Sequence, residues 1–172
     1  GTAPVSAYAA AALGWEMLCT DLPEVLPLTR KNFESNRSSF GGIQKALSTE
    51  ANGGELVGGG TVDFLPLPFG EEIPKETREW IESRGGVQLI LCSDCIWQQQ
   101  RHRPLAVTLS ELLKTPGSEA LVAYQLRERE ELKFFGALDH YNLRSEPLDA
   151  VGAVAIAHFP PQFAKASAAS AF

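Results

Sequence analysis

This sequence of 172 residues lacks most of the features that mark secreted, membrane-spanning or nucleic-acid-binding proteins. Its three cysteines are too few, and odd in number, for a disulfide framework, so a reducing compartment, the cytoplasm or the nucleus, is expected. Its longest apolar stretches, 7–13 and 150–157, fall well short of the roughly 20 residues that cross a bilayer, so no membrane association is expected. Lys and Arg number 15 against 21 Asp and Glu, and the formal charge of −6 argues against nucleic acid as a partner.

The composition is that of one globular domain. Hydrophobic residues make up 44% and charged residues 21%, near the averages for globular proteins, so the chain should bury a core. Its length is typical of a single domain, predicted here over 1–163, and we expect a monomer. Seven of the fifteen glycines lie in 37–60, which predicts a flexible insertion, and the small residues of 164–172 predict a disordered tail.

Strand patterns and helix patterns alternate along the chain. The predicted strands are 15–20, 61–67, 87–93, 120–126, 141–146 and 151–158, and the predicted helices are about 4–13, 25–36, 75–83, 104–113 and 127–138. The inward faces of two of these helices are predicted to carry Trp80 and Ile81, and Leu132, Phe134, Phe135 and Leu138. Alternation of this kind predicts an α/β fold with a mostly parallel sheet, ending in an antiparallel hairpin.

Two of the predicted strands end in an acidic residue. Asp21 follows the strand at 15–20, and Asp94 follows the strand at 87–93. Ligands of open α/β sheets bind at the carboxyl ends of the strands, so these two residues are the first candidates for a site. The sequence Asp-Leu-Pro at Asp21 also fits a plain turn or helix-capping aspartate.

Four segments in order carry a resemblance to a known family. They are GTAPVSAYAAAALG at 1–14, CTDLPEVLPL at 19–28 with Asn32 following, VDFLPLPFG at 62–70 and LILCSDCIW at 89–97. Together they resemble the class I, seven-strand S-adenosylmethionine-dependent methyltransferases, and among these the protein lysine methyltransferases with an Asp-x-x-Tyr signature. The resemblance implies a Rossmann-like sheet of seven strands, S-adenosyl-L-methionine as cofactor, no metal, and transfer of a methyl group to a lysine side chain of a protein substrate.

The same resemblance implies roles for individual residues. Asp21 would accept the hydroxyl groups of the cofactor ribose, and Phe69 would lie near the adenine, although Phe69 fits a core position equally well. Asp94 would orient the substrate lysine and help it lose its proton, and Trp97 would present an aromatic face to its nitrogen. Trp97 stands where the family has Tyr, so the phenolic hydroxyl is lost. The implied cofactor-binding residues are Gly1, Thr2, Asp21, Leu22, Phe69, Gly70 and Ser93, and the implied catalytic residues are Asp94 and Trp97.

The chain departs from the family at its start. The glycine-rich turn after the first strand is represented only by Gly1 and Thr2, and Met17 is the only methionine. We therefore expect an N-terminally truncated domain that lacks the first, central strand of the sheet. Such a fragment is expected to aggregate and to be inactive when expressed alone, because two buried strands would have unpaired edges.

Several alternatives are open at the level of the sequence. Cys92 and Cys95 could be half of a zinc site or a redox pair, but no second Cys-x-x-Cys accompanies them, and a structural role is favoured. The chain could be a catalytically inactive, methyltransferase-like interaction module. It could also methylate a histidine or a small molecule.

Overall fold

A computed structural model of the chain describes residues 5–36, 60–148 and 153–158, the last segment by its backbone alone. The chain forms two compact units, the first comprising Gly1–Pro68 with Pro74–Thr77 and the second comprising Phe69–Ile73 with Arg78–Phe172. The predicted insertion at 37–60, except its last residue, and the predicted tail at 164–172 lie outside the described residues.

The first unit is built around a pair of parallel strands. Helix α1 (Val5–Ala12) precedes strand β1 (Met17–Asp21), helix α2 (26–36) follows it, and strand β2 (Val62–Pro66) comes next. Met17 lies opposite Val62 and Asp21 opposite Pro66. The strand-turn-helix order predicted around Asp21 is therefore confirmed.

The core of the first unit is small and aromatic. Tyr8 of α1 stacks on Phe33 of α2 with ring centroids 4.7 Å apart, and Phe33 meets Phe64 of β2 edge to face at 5.2 Å. Cys19 and Ala7 complete the cluster. The buried face of β1 thus packs against α1 and α2. Asp21 lies at the carboxyl end of the strand.

The second unit contains a four-stranded mixed sheet. Its elements are helix α3 (Lys75–Glu82), which begins in the first unit, strand β3 (Leu89–Ser93), helix α4 (Gln99–Leu112), strand β4 (Glu119–Ala123), helix α5 (Lys133–Leu138), strand β5 (Leu143–Pro147) and strand β6 (Ala153–His158). The strand order is β3-β4-β6-β5. β3 and β4 are parallel, whereas β6 pairs antiparallel with both β4 and β5, so the predicted C-terminal hairpin is confirmed.

Two helices bury the centre of this sheet. Leu105 and Leu109 of α4 and Phe134 and Leu138 of α5 are each at most 1% exposed, and they pack with Val122 of β4. The two residues on each helix are four positions apart, as predicted for amphipathic helices that cover a sheet.

The prediction for the helix at 127–138 was wrong in its first half. Residues Arg129–Leu132 form a 3-10 turn, and only Lys133–Leu138 are α-helical. A 3-10 turn has three residues per turn, so the inward face shifts. Leu132 is consequently 43% exposed, while Glu131 is buried at 4%.

Two further details differ from the sequence predictions. Helix α4 begins at Gln99, so Pro104 lies inside the helix and not at its start. In α3 the fully buried residue is Thr77, which donates its hydroxyl proton to the carbonyl of Pro66 at 2.7 Å, whereas Trp80 and Ile81 are half-buried. A buried hydroxyl needs such a partner, and the sequence pattern alone does not reveal it.

Strands β1 and β3 belong to different sheets. Within the described ranges, β1 pairs only with β2, and β3 pairs only with β4. No residue of β3 is fully buried, and Ser93 is exposed. A strand with one neighbour keeps one edge uncovered, which accounts for its intermediate burial.

Candidate functional site

Asp94 lies in an unusual backbone conformation directly after β3. Its φ angle is +56°, in the left-handed region that few residues other than glycine adopt. Its N–H donates to the carbonyl of Ala123 at 2.8 Å, which ties the turn to the end of β4. This hydrogen bond therefore fixes the turn to the sheet.

The Asp94 carboxylate forms a bidentate ion pair with Arg127. Each carboxylate oxygen accepts one guanidinium N–H, and both distances are 2.7 Å. Both side chains are nearly half exposed, at 46% and 45%. Two parallel, charge-assisted hydrogen bonds define the orientation of both groups more strictly than a single contact would.

A buried acid holds Arg127 from the other side. One carboxylate oxygen of Glu131 accepts the backbone N–H of Arg127 at 2.8 Å, and the other lies 3.8 Å from its guanidinium. The guanidinium is thus placed between two carboxylates, and the three side chains carry a formal charge of −1. The sequence predicts a helix that begins here, but the pattern does not show that Glu131 is buried.

The ion pair determines the protonation of the acid. The hydrogen bonds from Arg127 hold the pKa of Asp94 below its usual value, and Asp94 raises the pKa of Arg127 in return. Asp94 is therefore a carboxylate at neutral pH and a weak proton acceptor. It is suited to binding a cation and not to removing a proton.

Trp97 is presented to solvent at the end of the same turn. It is 58% exposed, whereas its neighbour Ile96 is 1% exposed. The ring of His102 donates to the carbonyl of Ile96 at 2.8 Å and meets Phe134 edge to face at 5.7 Å. Because Ile96 is anchored in this way, an aromatic surface stays exposed three residues after Asp94.

Ser93 and the two cysteines complete the turn. Ser93 is exposed at the end of β3, and its carbonyl accepts a hydrogen bond from the Cys95 thiol at 3.5 Å. Cys92 and Cys95 are both half-buried and pack against the core of the second unit. Every residue from the end of β3 to Ile96 is thus held by a local contact.

The segment Phe69–Gly70 packs against α4. Phe69 is half-buried against the core of the second unit. This is the core position that the sequence allows as an alternative to a place near the adenine. Gly70 has a φ angle of +81°, and its N–H donates to the Thr108 hydroxyl at 2.9 Å. A Cβ atom at position 70 would lie 2.9 Å from Cα of Pro104, so the backbone approaches the helix more closely than a side chain would allow.

Asp21 ends β1 in the first unit. It is half-buried, and one of its carboxylate oxygens accepts the N–H of Leu22 at 2.8 Å. This contact is the local one that a turn aspartate makes, and a carboxylate has capacity for several more hydrogen bonds. The structure places Asp21 and Leu22 in one unit and the other described candidates in the second, while Gly1 and Thr2 lie outside the described residues.

No group of three or more His, Cys, Asp or Glu side chains in 5–36 and 60–148 is placed to hold a metal ion. No helix in the portion that the structure describes has the length and apolar character needed to cross a membrane.

A comparison with known protein families matches residues 5–141 to the family described as lysine methyltransferase. No match is found among the curated proteins. The matched range covers most of the chain and contains the turn with Asp94 and Trp97, the Phe69–Gly70 segment and Asp21. It confirms the resemblance that the four sequence segments indicated, and the chain belongs to the lysine methyltransferase family.

Proposed function

We propose that this protein transfers a methyl group from S-adenosyl-L-methionine to a lysine side chain of a protein substrate. The observation that carries the proposal is the turn after β3, where an ionised carboxylate on a fixed backbone precedes an exposed tryptophan by three residues. A carboxylate and an aromatic face are the two groups that best hold an alkylammonium ion. The family match supports the same reaction class.

The residues that would hold the cofactor fit that task. When bound, S-adenosyl-L-methionine supplies an activated methyl group on a sulfonium centre. Asp21 offers a half-buried carboxylate at the carboxyl end of a parallel strand, which suits the hydroxyl groups of a ribose. Phe69 and Gly70 offer an aromatic ring and a backbone that lacks a side chain, and Ser93 offers an exposed hydroxyl.

The seven-strand sheet of the family is part of the proposal. β1 and β3 each have one strand neighbour within the described ranges, so each can accept a further parallel strand. We propose that a strand absent from these 172 residues fills this role. Thermal unfolding of the chain alone, compared with that of the full-length protein, tests it: a sharp, cooperative transition of the chain alone would contradict the proposal.

Asp94 would act by orientation. A lysine ammonium has an ordinary pKa near 10.4, and the amine must lose its proton before it can attack a methyl group. Because Arg127 lowers the pKa of Asp94, that proton would pass to water and not remain on the carboxylate. The formal charge of −1 on the Asp94, Arg127 and Glu131 side chains would attract the substrate cation, and the Trp97 face would hold it.

The experiment uses the full-length protein and cofactor labelled in its methyl group. We expect label in lysate proteins, recovered as methyl-lysine after hydrolysis. Asp94→Asn should lower turnover with little change in cofactor affinity by calorimetry, because the neutral amide cannot pair with the ammonium. Asp139→Asn, which changes an exposed acid of the same unit, is the matched control and should leave turnover unchanged.

Other outcomes of this experiment identify the alternatives. Label recovered as methyl-histidine, or in a small molecule, would mean that the methyl acceptor is that group and not lysine. Absence of both cofactor binding and label incorporation would indicate a catalytically inactive interaction module. The occupation of both Asp94 oxygens by Arg127 is the observation that favours this second function.

We also propose that the protein is a monomer and that it meets its protein substrate in the cytoplasm or the nucleus. Its three free cysteines fit these reducing compartments.

A further inference from the structure

The guanidinium of Arg127 lies close to two carboxylates but is hydrogen-bonded to only one of them. It donates to both oxygens of Asp94 at 2.7 Å, whereas its Nη1 atom lies 3.8 Å from Oε1 of Glu131. Since a charge-assisted N–H···O bond is about 2.7 to 2.9 Å long, a shift of roughly 1 Å would bring the guanidinium to Glu131. The Arg127 side chain is nearly half exposed, and exposed side chains change rotamer readily.

Glu131 is held in place by the backbone and not by the guanidinium. Its Oε2 atom accepts the backbone N–H of Arg127 at 2.8 Å, and its side chain is only 5% exposed. A buried carboxylate is costly unless a cation or hydrogen bonds compensate its charge, so Glu131 gains from a closer approach of the guanidinium. The carboxylate therefore stays at the same place whichever acid the guanidinium pairs with.

The charges of the three side chains leave room for one more cation. Asp94 and Glu131 are acids and Arg127 is their shared base, so the formal charge is −1. If an ammonium ion pairs with Asp94 while Arg127 pairs with Glu131, each carboxylate has one cation and the net charge is zero. Without the charge of Glu131, the same exchange would break the ion pair of Arg127 with Asp94 and form none at position 131.

We propose that Glu131 is a positioning residue, which receives the Arg127 guanidinium when the ammonium group of a substrate lysine binds Asp94. The inference rests on the proposed function and explains how a lysine can reach a carboxylate whose two oxygens are both occupied in this structure. Asp94, and to a smaller degree Glu131, raise the pKa of Arg127, so the guanidinium is charged in both pairings. Arg127 thereby competes with the substrate for Asp94, and Glu131 weakens that competition.

The primary experiment needs no substrate and no enzymatic activity. Asp94→Gly in the full-length protein removes the carboxylate, and glycine adopts the φ angle of +56° at this position without strain. In a crystal structure of this variant, we expect the 3.8 Å between Nη1 of Arg127 and Oε1 of Glu131 to shorten to about 2.8 Å. A guanidinium that keeps the longer distance, or that turns into solvent, would overturn the proposal.

Urea unfolding of the full-length protein tests the same exchange in solution. Glu131→Gln removes the charge but keeps an oxygen that can accept the backbone N–H of Arg127. This substitution should lower the urea midpoint of Asp94→Gly by more than it lowers the midpoint of Asp94→Gly combined with Arg127→Gln. Equal shifts in the two backgrounds would show that Arg127 does not pair with Glu131 once Asp94 is gone.

The kinetic experiment uses the full-length protein and, as substrate, a purified lysate protein that acquires the methyl label. Glu131→Gln should raise the KM for this protein about two- to fivefold with little change in kcat, as expected for the loss of one ion pair. The increase should disappear in an Arg127→Gln background, because Glu131 acts through Arg127. An increase that persists in that background, or a fall in kcat of equal size in both, would assign Glu131 another role and refute the exchange. If methyl transfer is absent while the guanidinium moves in Asp94→Gly, the proposed function fails and the exchange of Arg127 between the two acids stands.

Discussion

Gly70 offers a direct test of how the loop after β2 packs against α4. Its φ angle is +81°, and an added Cβ would lie 2.9 Å from both Cα and Cβ of Pro104. The perturbation is Gly70→Ala, which adds this one atom. Gly85 has a similar φ angle of +76° but nothing within 4 Å of its added Cβ, so Gly85→Ala is a control with the same backbone strain and no clash.

The magnitude follows from three contributions. A left-handed conformation costs an alanine roughly 1 to 2 kcal/mol, and the smaller conformational entropy of the unfolded chain returns about 0.4 to 1 kcal/mol. Both variants share these two contributions, so Gly85→Ala should lower the free energy of unfolding by no more than about 1.6 kcal/mol. Insertion against the rigid Pro104 ring adds about 1 to 3 kcal/mol to Gly70→Ala alone. It should also strain the hydrogen bond from the Gly70 N–H to Thr108.

The assay is equilibrium urea unfolding of the full-length protein, read by circular dichroism. We expect Gly70→Ala to lower the free energy of unfolding by about 1 to 5 kcal/mol, and to lower the midpoint by correspondingly more than Gly85→Ala does. If the two variants were equally stable, Gly70 would not approach Pro104 as described. If Gly70→Ala were stable but lost cofactor affinity, the residue would act through binding alone.

The other predictions concern the site and the core. Asp21→Ala should weaken cofactor binding by about 1 to 3 kcal/mol, roughly five- to 150-fold in Kd by calorimetry, because charge-assisted hydrogen bonds are lost; unchanged affinity would remove the ribose role. Phe134→Ala should lower the free energy of unfolding by about 3 to 5 kcal/mol in urea, whereas Leu132→Ala, at a 43% exposed position, should change it by no more than about 0.5 kcal/mol. If the two variants lost similar stability, Leu132 would be buried, as the predicted continuous helix requires. Since the pKa of Asp94 is lowered on folding, the stabilisation by its pair with Arg127 should be present above about pH 4 and disappear as the pH falls through the lower folded value. Asp94→Asn should therefore differ from the wild type in unfolding free energy at pH 6, and the difference should shrink as the pH is lowered below about 4. A difference that does not change with pH would contradict this assignment.

The order of elements could be predicted from the sequence because it depends on neighbouring residues. Alternating and helical spacing of apolar residues, with glycines and prolines at the ends, place β1, α2, β2 and β3 within a few residues of their observed bounds. The acidic residues at two strand ends follow from the same local pattern. The family could be identified because the short segments that carry it are contiguous.

Contacts between distant residues required the tertiary structure. Arg127 lies 33 residues after Asp94, and no local pattern indicates that their side chains meet. Glu131 reads as a solvated charge until the 3-10 turn buries it beneath Arg127. The sequence therefore presents Asp94 as a candidate base, whereas the structure makes it a paired carboxylate.

Local conformation and side-chain contacts depend on residues at different separations along the chain. Local conformation is determined by steric and hydrogen-bond preferences within about one helical turn, so it can be inferred from adjacent residues. The charge state of Asp94 and the need for glycine at position 70 depend on groups brought close only when the chain packs. The sequence thus determined the elements, their order and the family, while the tertiary structure decided which side chains meet, because those energies arise only between residues that folding brings together.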